Sequence, residues 1–133
     1  MLIPQDVLRR TILRVLDTTD NPSIELIYKT AMYGKSIGYD VIIEGILNKA
    51  KYGKMLQKLI KDFNGVSYVY YLDVSFQETL RRHNTKPNHT EFDEKEMREW
   101  WVEKDHLEVE GEKEIPESTS EVETLKIIMR DLH

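Results

Sequence analysis

Cysteine is absent from the 133-residue sequence, which excludes disulfides, thiol nucleophiles and cysteine-held zinc and suits a reducing compartment. No apolar run approaches the roughly 18 residues that a membrane-crossing helix needs, and the opening "MLIPQDVLRR" lacks the apolar stretch of a signal peptide. A soluble, cytoplasmic protein without a membrane partner is therefore expected. Basic residues are also short: 19 Lys and Arg stand against 24 Asp and Glu, giving a net charge of -5. They are mixed among the acids, so no basic stripe marks a nucleic-acid surface. His83, His89, His106 and His133 share no spacing that suits zinc.

What is present suffices for one modest domain. Hydrophobic residues make up 40% and charged ones 32%, enough to fold and too apolar for disorder over the whole length. "MLIP" reads as the tail of a strand, and "QDVLRRTILRVL" has helical spacing in Val7, Leu8, Ile12 and Leu16. "TTDNP" breaks that pattern. Asn21 and Pro22 then open a second helix, "SIELIYKTAMYGKSIG", which ends near Gly38. Residues 40–44 are a short apolar run, hence a buried strand. Tyr52, Met55, Leu56, Leu59, Ile60 and Phe63 give the next helix its face, and Asn64-Gly65 stops it.

"VSYVYYLDV" has the aromatic and β-branched content of a strand, and Ser75 with Glu78 forms a capping-box pattern before "SFQETLRRH". A polar stretch at 84–93 leads into a short helix bearing Met97, Trp100 and Trp101. "KEI" is a brief edge strand, and Ser120 with Glu123 opens a last helix whose apolar face is Val122, Leu125, Ile128 and Met129. Alternating helices and short strands predict an α/β fold with a mostly parallel sheet.

Charged residues after the strands are the candidates for chemistry, because ligands of open α/β sheets bind at the carboxyl ends of strands. Glu44 ends the run "YDVIIEG", where it either faces a metal-bound phosphate or water, or caps the next helix. Asp6 can accept a proton from a substrate hydroxyl or stabilise the helix dipole, and Arg9 and Arg10 can hold phosphate. "LRRHNTKP" gathers Arg81, Arg82 and Lys86, either a mobile cationic cover for phosphate or a solvated helix end. Lys104 and Asp105, after the paired tryptophans, are ligand-facing or merely solvated. Trp100 and Trp101 can stack on a base or pack in a core.

Taken together, "QDVLRR", "YDVIIEGIL", "YYLDVSFQETLRRHNTKP" and "MREWWVEKDHL" resemble a family of small bacterial P-loop kinases, carrying an AAA-type label and related to zeta-toxin and small-molecule kinases. The resemblance runs over almost the whole chain and implies a partial P-loop NTPase-like layered fold, one domain over 1–133 with a lid region over 84–107. It implies ATP and magnesium as the complete family's cofactors and a small-molecule phosphate acceptor. On this resemblance Asp6 is the acid near the acceptor, and Glu44 ends a Walker-B-like strand with an indirect magnesium contact. Arg9, Arg10, Arg81, Arg82, Lys86 and Lys104 meet substrate or phosphates.

The departure lies in the phosphate loop. No segment matches G-x-x-x-x-G-K-[S/T], and Gly34-Lys35 lacks the leading glycine. The expectation is a remnant or fragment of an ATP-dependent small-molecule kinase that does not transfer phosphate alone and binds no nucleotide tightly. The alternative is a non-catalytic structural or interaction protein built on the same fold. Lacking the central strand, residues 41–44 and 67–72 must pair directly, stay apart or borrow a strand. A homo-oligomer or a missing N-terminal segment is the expected partner.

Overall fold

Leu2–Pro4 (β1) and Ile42–Glu44 (β2) run parallel, with Leu2 beside Ile42, Ile3 beside Ile43 and Pro4 beside Glu44. This pair belongs to the first of two compact units, Met1–Ser67 and Tyr68–His133, in a computed structural model that describes residues 1–133. No helix is long and apolar enough to cross a membrane.

In the first unit, two helices supply most of the core. In Ser23–Ser36 (α1), Ile27 and Ala31 lie one turn apart and are fully buried. Asn21 starts this helix by accepting the Ser23 N–H at 3.0 Å. Gly38, at φ 77, stops it in the left-handed conformation that glycine adopts freely. Lys49–Phe63 (α2) is capped by Asn48, whose side chain accepts from the Ala50 N–H, and ends on Asn64 at φ 48. Its Tyr52, Met55 and Leu59 join Ile3, Leu8, Ile27 and Ala31 in one cluster. Each large apolar side chain so buried contributes about 1.5–3 kcal/mol. Gly34 lets α1 approach the strands: a Cβ there would stand 2.9 Å from Val41 Cγ2 and closer still to the Met1 methyl.

The regular helix expected over "QDVLRRTILRVL" is corrected. Val7–Leu13 is a π-helical segment that ends on Arg14 at φ 55, and the Arg9 carbonyl accepts from the N–H groups of Arg14 and Val15. The wider winding breaks the expected apolar face. Leu8 is buried, whereas Val7, Ile12 and Leu16 are exposed.

In the second unit, Tyr70–Asp73 (β3) pairs in parallel with Lys113–Pro116 (β4), joining Tyr71 to Glu114 and Leu72 to Ile115. Three helices accompany them: Phe76–Asn84 (α3), Glu94–Trp100 (α4) and Glu121–Asp131 (α5). Capping boxes open α4 (Asp93 with Glu96) and α5 (Ser120 with Glu123). At α3 only half a box forms. Ser75 accepts from the Glu78 N–H, but its own N–H donates to Glu117. Phe76, Met97, Leu107 and Ile115 are the buried apolar residues of this unit. The apolar stripe of α5 is exposed at Val122, Leu125 and Met129, whereas Asp131 on the same helix accepts from Tyr70 Oη at 2.6 Å.

The fold is thus α/β with parallel strands, as the alternation implied, but the expected single sheet is corrected to two sheets of two strands each. The strands at 42–44 and 70–73 stand in different sheets.

Candidate functional site

At the carboxyl end of the first pair, the Pro4–Glu44 register brings Gln5 and Asp6 to the same edge as Glu44 and Gly45. Glu44 is exposed, and its carboxylate has no hydrogen bond or ion pair within the chain. It does not cap the following helix, because Asn48 does so. Gly45, at φ 141, permits the turn that follows, and a Cβ on it would stand 2.8 Å from Gln5 Cβ. Asp6 precedes the π-helical segment without a side-chain cap bond. Its carboxylate lies 3.1 Å from Arg9 Nη2 and is 57% exposed.

Arg9 is turned inward. Its guanidinium also donates to the Val15 carbonyl at 3.2 Å and approaches Asp17 at 3.9 Å. Arg10 is exposed on the same segment.

Beneath this edge lies a polar network that the sequence reading did not single out. Gln5, 1% exposed, donates through Nε2 to Tyr52 Oη at 2.8 Å. Tyr52 Oη also accepts from Asn21 at 3.3 Å and donates to Asp17 at 2.6 Å, and Lys51 reaches the other Asp17 oxygen at 3.0 Å. The hydroxyl thereby fills its one donor and two acceptor positions. Gln5 Oε1 is buried without a partner.

In the second unit the candidate cations are engaged by acids. Arg81 grips Glu78 with two bonds of 2.7 Å, and Arg82 adds a third of 2.7 Å while donating to the Glu117 carbonyl at 2.8 Å. These guanidinium groups, Arg81 first and Arg82 second, pull the Glu78 carboxyl down to about 2. Lys86 is exposed and forms no ion pair.

Lys104 pairs with Asp73 at the carboxyl end of β3 and lies 3.5 Å from Glu114. Asp73 is the main reason its ammonium is held above the usual lysine range. Asp105 donates its N–H to Tyr71 Oη at 3.1 Å. Both tryptophans meet aromatic neighbours edge-on, Trp100 against Phe92 and Trp101 against Phe76. His83 lies 3.0 Å through Nε2 from the His89 carbonyl and 3.2 Å from that of Phe92.

Within the first unit, the structure brings Asp6 and Glu44 to one edge and spends Arg9 on Asp6. Within the second, Arg81 and Arg82 share Glu78, and Lys104 stands with two carboxylates. No three His, Asp or Glu side chains gather into a group able to hold a metal ion. The Gly34-Lys35 pair lies inside α1, with Lys35 Nζ donating to the Asp62 carbonyl at 2.8 Å. No protein-family model, curated protein or solved structure matches the chain.

Proposed function

We propose that the chain is a remnant or fragment of an ATP-dependent small-molecule kinase that does not transfer phosphate by itself. The observation that carries this reading is the register of the first parallel pair, which sets Asp6 and the unpaired Glu44 at one carboxyl edge. That is where α/β enzymes hold ligands. An acid there suits an acceptor hydroxyl, and a second suits a metal-bound water. What the reaction further requires is a backbone nest and a lysine for the β- and γ-phosphates. No G-x-x-x-x-G-K-[S/T] segment supplies them, and the cations at Arg81, Arg82 and Lys104 are already engaged by carboxylates, the two arginines sharing Glu78.

A non-catalytic role in assembly is the second reading, favoured by the open sheet edges. The Ile42 N–H donates to the Met1 carbonyl at 2.9 Å, so the N–H and C=O of the next residue, Ile43, point away from β1. No third strand meets them. A strand from a second copy or from another chain fits that edge.

Calorimetric titration of the purified chain with ATP and magnesium tests the first reading. We expect no saturable heat and no phosphate transfer to small hydroxylated acceptors. Tight, magnesium-dependent binding would overturn it.

A further inference from the structure

The face of the β3–β4 pair that carries Tyr71, Asp73 and Glu114 is crossed by a short strap, residues 104–107. Tyr71 and Glu114 are register partners, and Asp73 follows two residues along β3, so all three side chains share that face. The strap is fastened to each of them. Lys104 Nζ pairs with Asp73, the Asp105 N–H donates to Tyr71 Oη, and His106 Nε2 lies 2.8 Å from Glu114 Oε2. The His106 ring also packs on the Tyr71 ring, with centroids 4.3 Å apart. Behind the strap, Glu112 accepts the N–H groups of Leu107 at 2.8 Å and Glu108 at 2.7 Å.

The backbone is bent to make this possible. Lys104 stands at φ 51, a left-handed conformation that a β-carbon disfavours. Its carbonyl is approached twice by one residue, from the His106 N–H at 2.9 Å and from His106 Nδ1 at 3.1 Å. Nδ1 therefore faces a carbonyl and Nε2 faces a carboxylate. Both are acceptors. A neutral imidazole carries one N–H and can satisfy only one of them, whereas the imidazolium satisfies both.

We propose that residues 104–107 form a proton-operated latch on the polar face of the β3–β4 pair, closed while the His106 imidazolium bridges the Lys104 carbonyl and Glu114. On losing a proton the ring gives up one of its two bonds, and the left-handed turn at Lys104 loses a restraint. The strap then opens more often, uncovering Tyr71, Asp73 and Glu114. The charged and titratable groups facing His106 are Glu114 from β4, Tyr71 from β3, and Lys104, Asp105 and Glu112 from the strap and its following turn. Asp73 acts through Lys104. The bond to Glu114, with the Lys104 carbonyl and Glu112 adding to it, raises the imidazole above its ordinary value of 6.5. A raised value in the folded state means that the latch is fully closed below about pH 6.5, the ordinary histidine value, and loosens as pH rises through the folded-state value.

The test is an NMR titration of the His106 ring in the full chain. It is followed together with amide hydrogen exchange at Asp105, Leu107 and Glu108, corrected for the intrinsic pH dependence of exchange. We expect His106 to titrate above the ordinary histidine range and protection at those amides to fall several-fold over the same interval. In Glu114→Gln the titration moves back toward the ordinary value. In His106→Gln the protection no longer depends on pH. An ordinary titration in the wild-type chain, or protection that ignores the protonation of His106, overturns the proposal whether or not either variant folds.

Discussion

Tyr52 shows how much one polar atom holds together in the first unit. Its side chain is fully buried, and its hydroxyl joins Gln5, Asn21 and Asp17. Tyr52→Phe keeps the ring and leaves the Gln5 amide with a buried donor unpaired. A loss of about 1–3 kcal/mol is expected, the cost of stranding a buried polar group, read as a lower midpoint in urea denaturation.

Glu78 is the corresponding hub in the second unit, though an exposed one. Because Arg81 and Arg82 depress its carboxyl to about 2, the arginine clasp is intact above the ordinary 4.5 and is lost only as pH falls toward 2. Carboxyl-carbon NMR should find Glu78 still ionised at pH 3, and a titration midpoint near 4.5 would contradict the clasp. The i, i+3 and i+4 spacing of Glu78, Arg81 and Arg82 on a helix permits this hub, although the sequence pattern pointed to a capping box for Glu78 and to phosphate or solvent for the arginines. The Tyr52 hub was not legible, because its partners are brought together only by tertiary folding.

At the scale of elements, local signals translated well. The patterns at Ser120-Glu123 and Ser75-Glu78 each place a serine side chain on the third N–H of a helix. Ser120→Ala should therefore cost about 0.5–2 kcal/mol, as N-cap losses do, measured by thermal unfolding followed by circular dichroism. An unchanged midpoint would mean that α5 contributes nothing to the cooperative unit. The patterns failed where neighbours decide. "QDVLRRTIL" has an α-helical period, yet its carbonyls are spaced for a wider coil, and Arg14 ends it in a conformation that no residue type announces. "KEI", by contrast, was expected as a brief edge strand despite its two charges, and it pairs with β3 within Lys113–Pro116.

For the whole molecule, the decisive outcome is the division of the strands. Period and composition allow strands to be recognised but say nothing about which ones pair, because pairing joins residues far apart in the chain. The edge location of Asp6 and Glu44 was readable, since Asp6 follows one strand and Glu44 ends the other. That Arg9 would be taken up by Asp6 and that Lys104 would be flanked by Asp73 and Glu114 was not. A parallel pair of short strands is weak in isolation and is normally covered and extended. The exposed Ile42 and Leu72 add apolar surface beside the open edges. On the assembly reading, light scattering after size exclusion should give a mass above 15.8 kDa that grows with concentration. A constant monomer mass at high concentration would count against edge pairing.

The parallel pairing of β1 with β2 also sets an order of events during synthesis. Leu2 leaves the ribosome forty residues ahead of its partner Ile42, a delay of about 2–8 s at ordinary elongation rates of roughly 5–20 residues per second. Helix formation takes about a microsecond and hairpin closure a few microseconds, so α1 has ample time to form in the interval. β1 has no hairpin partner to close on and must wait as an unpaired apolar segment. The strand pair therefore closes only across a long loop with α1 already formed, and the core it joins is completed later still, when Tyr52, Met55 and Leu59 of α2 emerge.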